Sequence, residues 1–551
     1  MQQLTGMDAS FLYLETPNAP MHISGLYIYT QDTAPGGKVR FKQIIESITD
    51  RIQKLPTLSR RLKTVPFGLD HPYWIDDGNF DPEFHIRHIA LPSPGDWRQL
   101  CILISRIHAR PLDRSRPLWE IYVIEGLDNV EGYPKGSFAL FSKMHHAAVD
   151  GASGMEITAA IHDLEPNVVT EKTDTWRKPE REPSDLSLIA RAQANGIRQP
   201  LRFISVARNT VPGFAKAYMQ LRRGELRSVG KVPRTRFSGT VSPYRVFNAV
   251  SLPLDEVKAV KNAVEGATVN DVAITVVGGA LRRYLEAHNE LPSESLVAMA
   301  PINVRNPKEK GTGGNIVSAM AVKVRSDIAD ARERLVAVNN GSRSAKELAN
   351  AVGAKTMTDY TQFIPSTLTA QAARLASRWR LTNQITPIYN CVITNVPGPQ
   401  VPLYNTGARM ISNFGTGPVA DGLGLFHVIS SYCGEFSISA TSCREMMPDP
   451  DFYRECLLES FESLKKATLG ASATRTTKKA AAKKASSKKA TARKASVKKV
   501  SAKKASVKKA PSKKAAAKKK APARSATARV NTPAQRAAAA RKGSPRRKAS
   551  G

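Results

Sequence analysis

Two adjacent histidines with an aspartate four residues on, His145, His146 and Asp150, end the run Phe138 to His146 and lead into Gly151. Histidine suits general base work near neutral pH, because its neutral form is abundant and its conjugate acid still gives up a proton. In this spacing one imidazole sits at a strand end, Asp150 can cap the helix that follows, and Gly151 lets the chain turn without a Cβ clash. A buried, hydrogen-bonded histidine with a purely structural role fits the same residues. A metal site of two histidines and an aspartate meets an obstacle, since neighbouring histidines on an extended chain point to opposite sides.

A base at this place needs a strand to carry it and helices to cover that strand. "LWEIYVIEGL" and "GSFALFSKMHH" read as strands joined by the turn-rich "DNVEGYPKG". "FKQIIESITDRIQKLPTLSRRL" has Ile44, Ile45, Ile48, Ile52 and Leu55 at helical spacing, and Pro56 stops it. "DWRQLCILISRIHA" is a second helix, closed off by Pro111. The irregular alternation predicts an α/β fold rather than a strictly parallel sheet.

Further on, "ATVNDVAITVVGGALRRYLEAH" carries a helix start, with Thr268 as N-cap and Asp271 three residues later in a capping-box pattern. "YNCVITNVPGP" reads as a strand broken by a turn, and "GLGLFHVISSYCGEFSISATSC" as a hairpin around Gly434. "DPDFYRECLLESFESLKKA", with Pro450 in its first turn, closes the ordered body.

The 551 residues suffice for two domains and appendages, and the net charge of +35 is unevenly spread. Residues 471–551 hold 28 Lys and Arg and no acid, leaving 54 basic and 47 acidic residues in 1–470, a net of +7. This Lys/Ala-rich tail has no aromatic residue and too little to bury, so it is expected to be disordered. Between 191 and 236, 11 basic side chains meet one acid, Glu225, among Ile, Leu, Phe, Tyr and Met. That stretch reads either as a crossover packed outside two domains or as an interfacial segment meeting anionic headgroups. Cys101, Cys391, Cys433, Cys443 and Cys456 show no CxxC spacing, which fits reduced thiols better than a disulfide framework or a zinc site. The N-terminus lacks a secretory pattern, and no run of about 18 apolar residues occurs.

The motif "HHxxxDG" resembles the signature of acyltransferases with the chloramphenicol acetyltransferase-like fold. "LTGMDASFLYLETPNAPMH", "RPLWE", "TVNDV", "PINVR", "GNIVS" and "NVPGP" follow in the order seen in the bacterial wax ester synthase/diacylglycerol acyltransferase family. The resemblance covers about Leu4 to Leu469. It implies two such lobes around a central tunnel: 1–164 carrying the histidines, 165–245 a basic crossover linker, 246–469 a second lobe, and 470–551 the tail. It also implies transfer of a long acyl chain from acyl-CoA, as co-substrate and with no other cofactor or metal, to diacylglycerol or a long-chain alcohol.

By position His146 matches the family's base, with His145 supporting the site. Asp150 resembles a residue that points away from the chemistry and pairs with an arginine. Arg305 is the candidate partner, its alternative role being to bind CoA phosphate. Asn270 is the candidate oxyanion donor, or else a helix-start residue; Asp271 is mainly a cap. Pro117, Leu118, Trp119, Asn395, Pro397 and Gly398 shape the acyl channel or turns. Because diacylglycerol stays in the bilayer, the expectation is a cytoplasmic protein peripheral on the inner face of the plasma membrane or on lipid droplets. The interfacial contacts would come from 191–236 and from the amphipathic 366–384, with Arg374, Arg378, Arg380 and Trp379. The tail suits anionic lipid, or DNA without sequence readout. Two other readings share these residues: a condensation-type domain of peptide or polyketide assembly, and a catalytically weak droplet protein tethering lipid to DNA.

Overall fold

The strand that ends in the two histidines is buried along its whole length, because helices cover both faces of its sheet. A computed structural model describes residues 1–470 except 53–54, 150, 168–179, most of 198–229, 304–316 and most of 353–376. Asp150, Arg305, most of 191–236, about half of 366–384, and the tail therefore lie outside the described residues.

The first part runs β1 (Gln2–Gln3), α1 (Gly6–Leu14), β2 (His22–Thr30), α2 (Phe41–Ile52), β3 (Arg60–Lys63), β4 (Tyr73–Asp76), α3 (Pro82–His85) and β5 (Ile86–Ala90). It continues with α4 (Trp97–Ala109), β6 (Trp119–Glu125), β7 (Phe138–His145), α5 (Gly151–Ala160) and α6 (185–197). The second part holds β8 (Arg245–Pro253), α7 (Leu254–Asn262), α8 (Val269–Ala287), β9 (Val297–Asn303), β10 (Val317–Lys323) and α9 (Ala331–Val352). It ends with β11 (Cys391–Pro397), β12 (Tyr404–Asn405), β13 (Ala408–Thr416), β14 (Leu425–Tyr432), β15 (Glu435–Cys443) and α10 (Pro450–Lys465).

Two six-stranded mixed sheets result, β12-β13-β2-β7-β6-β5 and β10-β9-β11-β14-β15-β8, with a small β1-β4-β3 sheet beside them. Along β7 the strand period of two sorts the side chains. Phe138, Leu140 and Met144 face Ile44, Ile48 and Ile52 of α2, while Ala139 and Phe141 face Leu100, Ile104 and Ile107 of α4. Lys143 and His145 share the α4 side by the same alternation.

One crossing goes beyond the expected lobe boundaries. β13, far along the chain, pairs antiparallel with β2 from Arg409↔Thr30 to Thr416↔Ser24, with an irregularity between Met410 and Ser412. The first sheet is thus completed by residues of the 246–469 segment. Strand patterning gives a strand's faces, and leaves open which edge it joins. β13 also touches the second sheet, where the hydroxyls of Ser430 and Ser437 donate to the Asn413 carbonyl at 3.4 and 3.0 Å.

In the second part α8 is buried nearly all round. A Cβ at Gly279 would lie 2.2 Å from Ser460 Oγ of α10 and 2.3 Å from an Arg334 nitrogen of α9, so glycine permits this close packing. α6, inside the expected linker, buries Leu188 and Ala192 against Val65 and Tyr73, as a crossover packed on a domain's outside would. Among the described residues no helix is long and apolar enough to cross a membrane.

Candidate active site

α1 is started by Thr5, whose hydroxyl accepts from the Asp8 N–H at 3.1 Å. The helix buries Ala9 and Leu12 in a small cluster with Leu4, Leu62, Leu118 and Ala147, the last of which follows the histidine pair. Phe11 packs against that cluster and also against the core of the second part, which contains Met21, Val272 and Ile393. The histidines end β7 where these two clusters meet.

Their backbones are fixed first. The His145 N–H donates to the Leu118 carbonyl at 2.9 Å and the His146 N–H to the Met21 carbonyl at 2.8 Å. Leu118 of the Pro-Leu-Trp segment thus holds the strand end in place. Trp119 is buried, donates from Nε1 to the Leu58 carbonyl at 2.7 Å and stacks on His85 with centroids 4.5 Å apart, a core role. Pro117 makes the tight turn in which its carbonyl accepts from the Trp119 N–H at 2.9 Å.

The two imidazoles then differ sharply. His145 is fully buried, and its Nδ1 accepts from the Ala147 N–H at 3.0 Å. The proton therefore sits on Nε2, which donates to Glu15 Oε2 at 2.5 Å. Burial pushes the His145 pKa down, against the pull of the Glu15 hydrogen bond and charge. For Glu15, burial works upward, but the His145 hydrogen bond and the charges of His145 and Arg114 prevail and hold the carboxyl below its ordinary value. A neutral imidazole donating to a carboxylate satisfies both directions. Arg114 adds a contact to Glu15 at 3.4 Å. With both nitrogens engaged, His145 is an anchor. His146 is half-buried, and its ring lies parallel to that of Phe11, with centroids 3.9 Å apart and planes 9° apart.

Behind them a buried polar row ties the first sheet to α4 and β13. His22, opposite His145 in the register, donates from Nδ1 to the His108 carbonyl at 3.4 Å. His108 donates from Nε2 to the Gly417 carbonyl at 3.2 Å, and its Nδ1 accepts from Ser24 and Thr416 hydroxyls at 3.0 Å. Lys143, also buried, binds the Ile107 and Arg110 carbonyls at the end of α4 (3.2 and 3.1 Å) and Glu120 at 3.0 Å.

Other expected residues gather on α8 and β11. Thr268 and Asp271 form the reciprocal capping box, and buried Asp271 also accepts from Asn339 Nδ2 at 2.9 Å. Asn270, half-buried in the first turn of α8, accepts from Asn395 Nδ2 at 3.4 Å. Pro397 ends β11, and the Gly398 N–H donates to the Ser431 carbonyl at 2.9 Å. Phe11, which stacks on His146, and Val269, which precedes Asn270, both pack against the second core. Gly151 opens α5. Among the described residues no group of three or more His, Cys, Asp or Glu could hold a metal ion. A surface hollow of about 600 Å³ lined by Arg283, Glu459, Ser463 and Lys465 lies on α8 and α10, which carry neither His145 nor His146.

Comparison with known proteins decides the family. Residues 4–273 match the family described as the wax ester synthase/diacylglycerol acyltransferase catalytic domain, and 313–465 match its C-terminal domain. A candidate diacylglycerol O-acyltransferase of Mycobacterium tuberculosis is 34% identical over 472 residues, covering 84% of this chain and 90% of that one. This chain belongs to the wax ester synthase/diacylglycerol acyltransferase family. It is an acyltransferase of that family, with the family's two-lobed α/β architecture. A second Mycobacterium tuberculosis relative of the same designation is 31% identical over 503 residues, covering 88% of this chain and all of its own. The solved wax ester synthase/diacylglycerol acyltransferase of Marinobacter aquaeolei VT8 superposes with a TM-score of 0.59 at 26% identity, over 84% of this chain and 98% of that one. The first condensation domain of the calcium-dependent antibiotic synthetase, 14% identical with a TM-score of 0.52 over 85% of this chain and 97% of that one, shares the fold. The catalytic-domain match runs through the expected linker and into α8.

Phe11, Glu15 and Met21 were not singled out by the sequence reading as site residues. The signal available was the four-residue spacing of Phe11 and Glu15 in "FLYLE", which sets both on one helical face.

Proposed function

We propose that this acyltransferase moves a long-chain acyl group from acyl-CoA to the hydroxyl of diacylglycerol, giving triacylglycerol, and to long-chain alcohols, giving wax esters. His146 is the general base. The observation that carries this reading is the contrast in burial within the pair: His145 is fully buried as an anchor on Glu15, whereas His146 is half-buried beside Phe11, which packs on both cores. The names of the relatives support the acceptor class.

In this reaction His146 takes the acceptor O–H proton as that oxygen attacks the thioester carbonyl carbon. The tetrahedral oxyanion accepts a hydrogen bond from Asn270, the C–S bond breaks, and the imidazolium returns the proton to the CoA sulfur. The acyl chain lies in a tunnel between the lobes, and acyl-CoA is consumed as co-substrate with no resident cofactor.

The acceptor sets the location. Its acyl chains carry about 30 methylenes at roughly 0.8 kcal/mol each, so the enzyme works at the lipid surface, on the inner face of the membrane or on droplets. Trp379, Ile385 and Ile388 are 63%, 62% and 74% exposed beside Arg378 and Arg380, in a stretch 375–390 without an acidic residue. That combination suits an anionic interface. The 28 cations of 471–551 reinforce it, and the same composition supports a second reading in which the tail tethers droplets to DNA.

The test is a parallel acceptor panel: labelled palmitoyl-CoA with diacylglycerol or hexadecanol, wild type against His146→Ala. The expected outcome is labelled triacylglycerol and wax ester, with the variant reduced about 10²–10⁴-fold. No product with either acceptor, or full turnover by His146→Ala, refutes the assignment.

A further inference from the structure

The ring that covers His146 comes from the far N-terminus of the chain, and it lies unusually close. Neutral aromatic pairs settle with centroids about 4.5–7 Å apart, offset or edge-on. Phe11 and His146 are parallel at 3.9 Å. At that separation the negative face of a phenyl ring favours an imidazolium over a neutral imidazole, since a cation within about 6 Å of the ring centre is attracted to it.

α1 is not able to slide away. Thr5 caps its start, Ala9 and Leu12 are buried, Arg114 donates to the Leu12 carbonyl at 3.0 Å, and Glu15 is held by His145 and Arg114. Phe11 and Glu15, one helical turn apart, therefore contact the two histidines separately, the carboxylate on the anchor and the ring on its neighbour.

We propose that Phe11 is a positioning residue for the base: its ring fixes the plane of the His146 imidazole and stabilises the imidazolium formed when the acceptor hydroxyl gives up its proton. This inference rests on the reading of His146 as the base. No group other than His146 gains or loses the proton in the step, which passes from the hydroxyl to the imidazole and on to the thiolate. Among the described residues, the titratable and charged groups on these elements are Asp8, Tyr13 and Glu15 at α1, His22 on β2, Lys143 and His145 on β7, and Arg114 after α4. Asp8 is bonded to Thr5, Glu15 to His145 and Arg114, and His22 to the His108 carbonyl. All of them are unchanged in a Phe11 variant, so a difference between variants reports the ring.

The experiment is the pH profile of kcat/KM for the full-length protein with palmitoyl-CoA and hexadecanol, in wild type, Phe11→Leu, Phe11→Tyr, Phe11→Trp and His146→Ala. Loss of the ring lowers the basicity of His146. Phe11→Leu should therefore move the acid limb about 0.4–1.5 pH units lower and cut the plateau up to about 30-fold. Phe11→Tyr restores both, and Phe11→Trp, with the stronger π-face, moves the limb higher. An acid limb in the same place for Leu, Tyr and Trp overturns the proposal, as do equal losses in Leu and Tyr. Where thermal melting shows Phe11→Leu unfolded, the Trp limb decides alone: upward supports, unmoved or downward refutes. Wild-type turnover by His146→Ala sinks the base reading itself. An inactive His146→Ala with an unmoved Phe11→Leu limb sinks only the role of Phe11.

Discussion

Acidification to pH 5 should bring this protein to the edge of unfolding, and buried histidines are the reason. Burial pushes His108 down to about 3, and His162 and His427 down to about 4. An unfolded histidine titrates near 6.5, so between these values the unfolded chain binds protons that the folded chain refuses. A depressed histidine pKa contributes stability that is fully present above about pH 6.5 and lost as pH falls toward the folded value. Each group then costs about 2 kcal/mol between pH 7 and pH 5, so the three together cost on the order of 5 kcal/mol. His22 and His145, shifted in the same direction by burial, add to this. Net stabilities are only about 5–15 kcal/mol, so the loss is decisive. Equilibrium urea unfolding of the full chain at a series of pH values measures it. The slope of stability against pH near 5 should correspond to at least about two to three protons taken up on unfolding, the share of His108, His162 and His427. A urea midpoint unchanged between pH 7 and pH 5 would show that these rings titrate normally and are not held as described.

Three further outcomes follow from named contacts. Glu15→Ala leaves the buried Nε2–H of His145 without its acceptor and should cost about 1–3 kcal/mol in urea unfolding, whereas Glu15→Gln, which keeps an acceptor, should cost less. Lys143→Met removes the ammonium partner of Glu120, which keeps, among the described residues, Arg87 at 3.2 Å and the Tyr122 hydroxyl at 2.9 Å; a loss of about 3 kcal/mol is expected, with part recovered by adding Glu120→Gln. Trp379→Ser with Ile388→Ser should weaken sedimentation with phosphatidylglycerol vesicles at least about tenfold at high salt, while turnover of short-chain soluble substrates stays near wild type; unchanged sedimentation would exclude this patch as the lipid contact.

What could be read in the sequence was local. Thr268 and Asp271 form their capping box within three residues, and the turn at Cys433 and Gly434 joins β14 to β15 where the glycine suggested. The strand carrying the histidines and the helix after Gly151 follow from apolar runs and a turn residue. Contacts made across long stretches of chain left no such trace. Glu15 reaches His145 130 residues away, and the pairing exists only once α1 packs on the β7 end. Lys143 would ordinarily be placed at a solvated strand position, because a lysine is rarely fully buried unless paired. Its partners, two carbonyls ending α4 and Glu120 on β6, become visible only in three dimensions. The placing of β13 beside β2 likewise depends on which edge is open when the sheets meet.

That placement governs how the protein is born. β2 offers its hydrogen-bonding edge as soon as β7 has paired with it, but the strand that covers this edge lies about 270 residues further along the chain. At roughly 5–20 residues per second, ribosomes leave that apolar margin bare for tens of seconds. During this interval the nascent chain needs a chaperone's shelter or it will pair with its neighbours on the polysome. Cutting the gene between the two family-matched regions would make the exposure permanent, yielding fragments that precipitate separately and regain solubility when co-expressed.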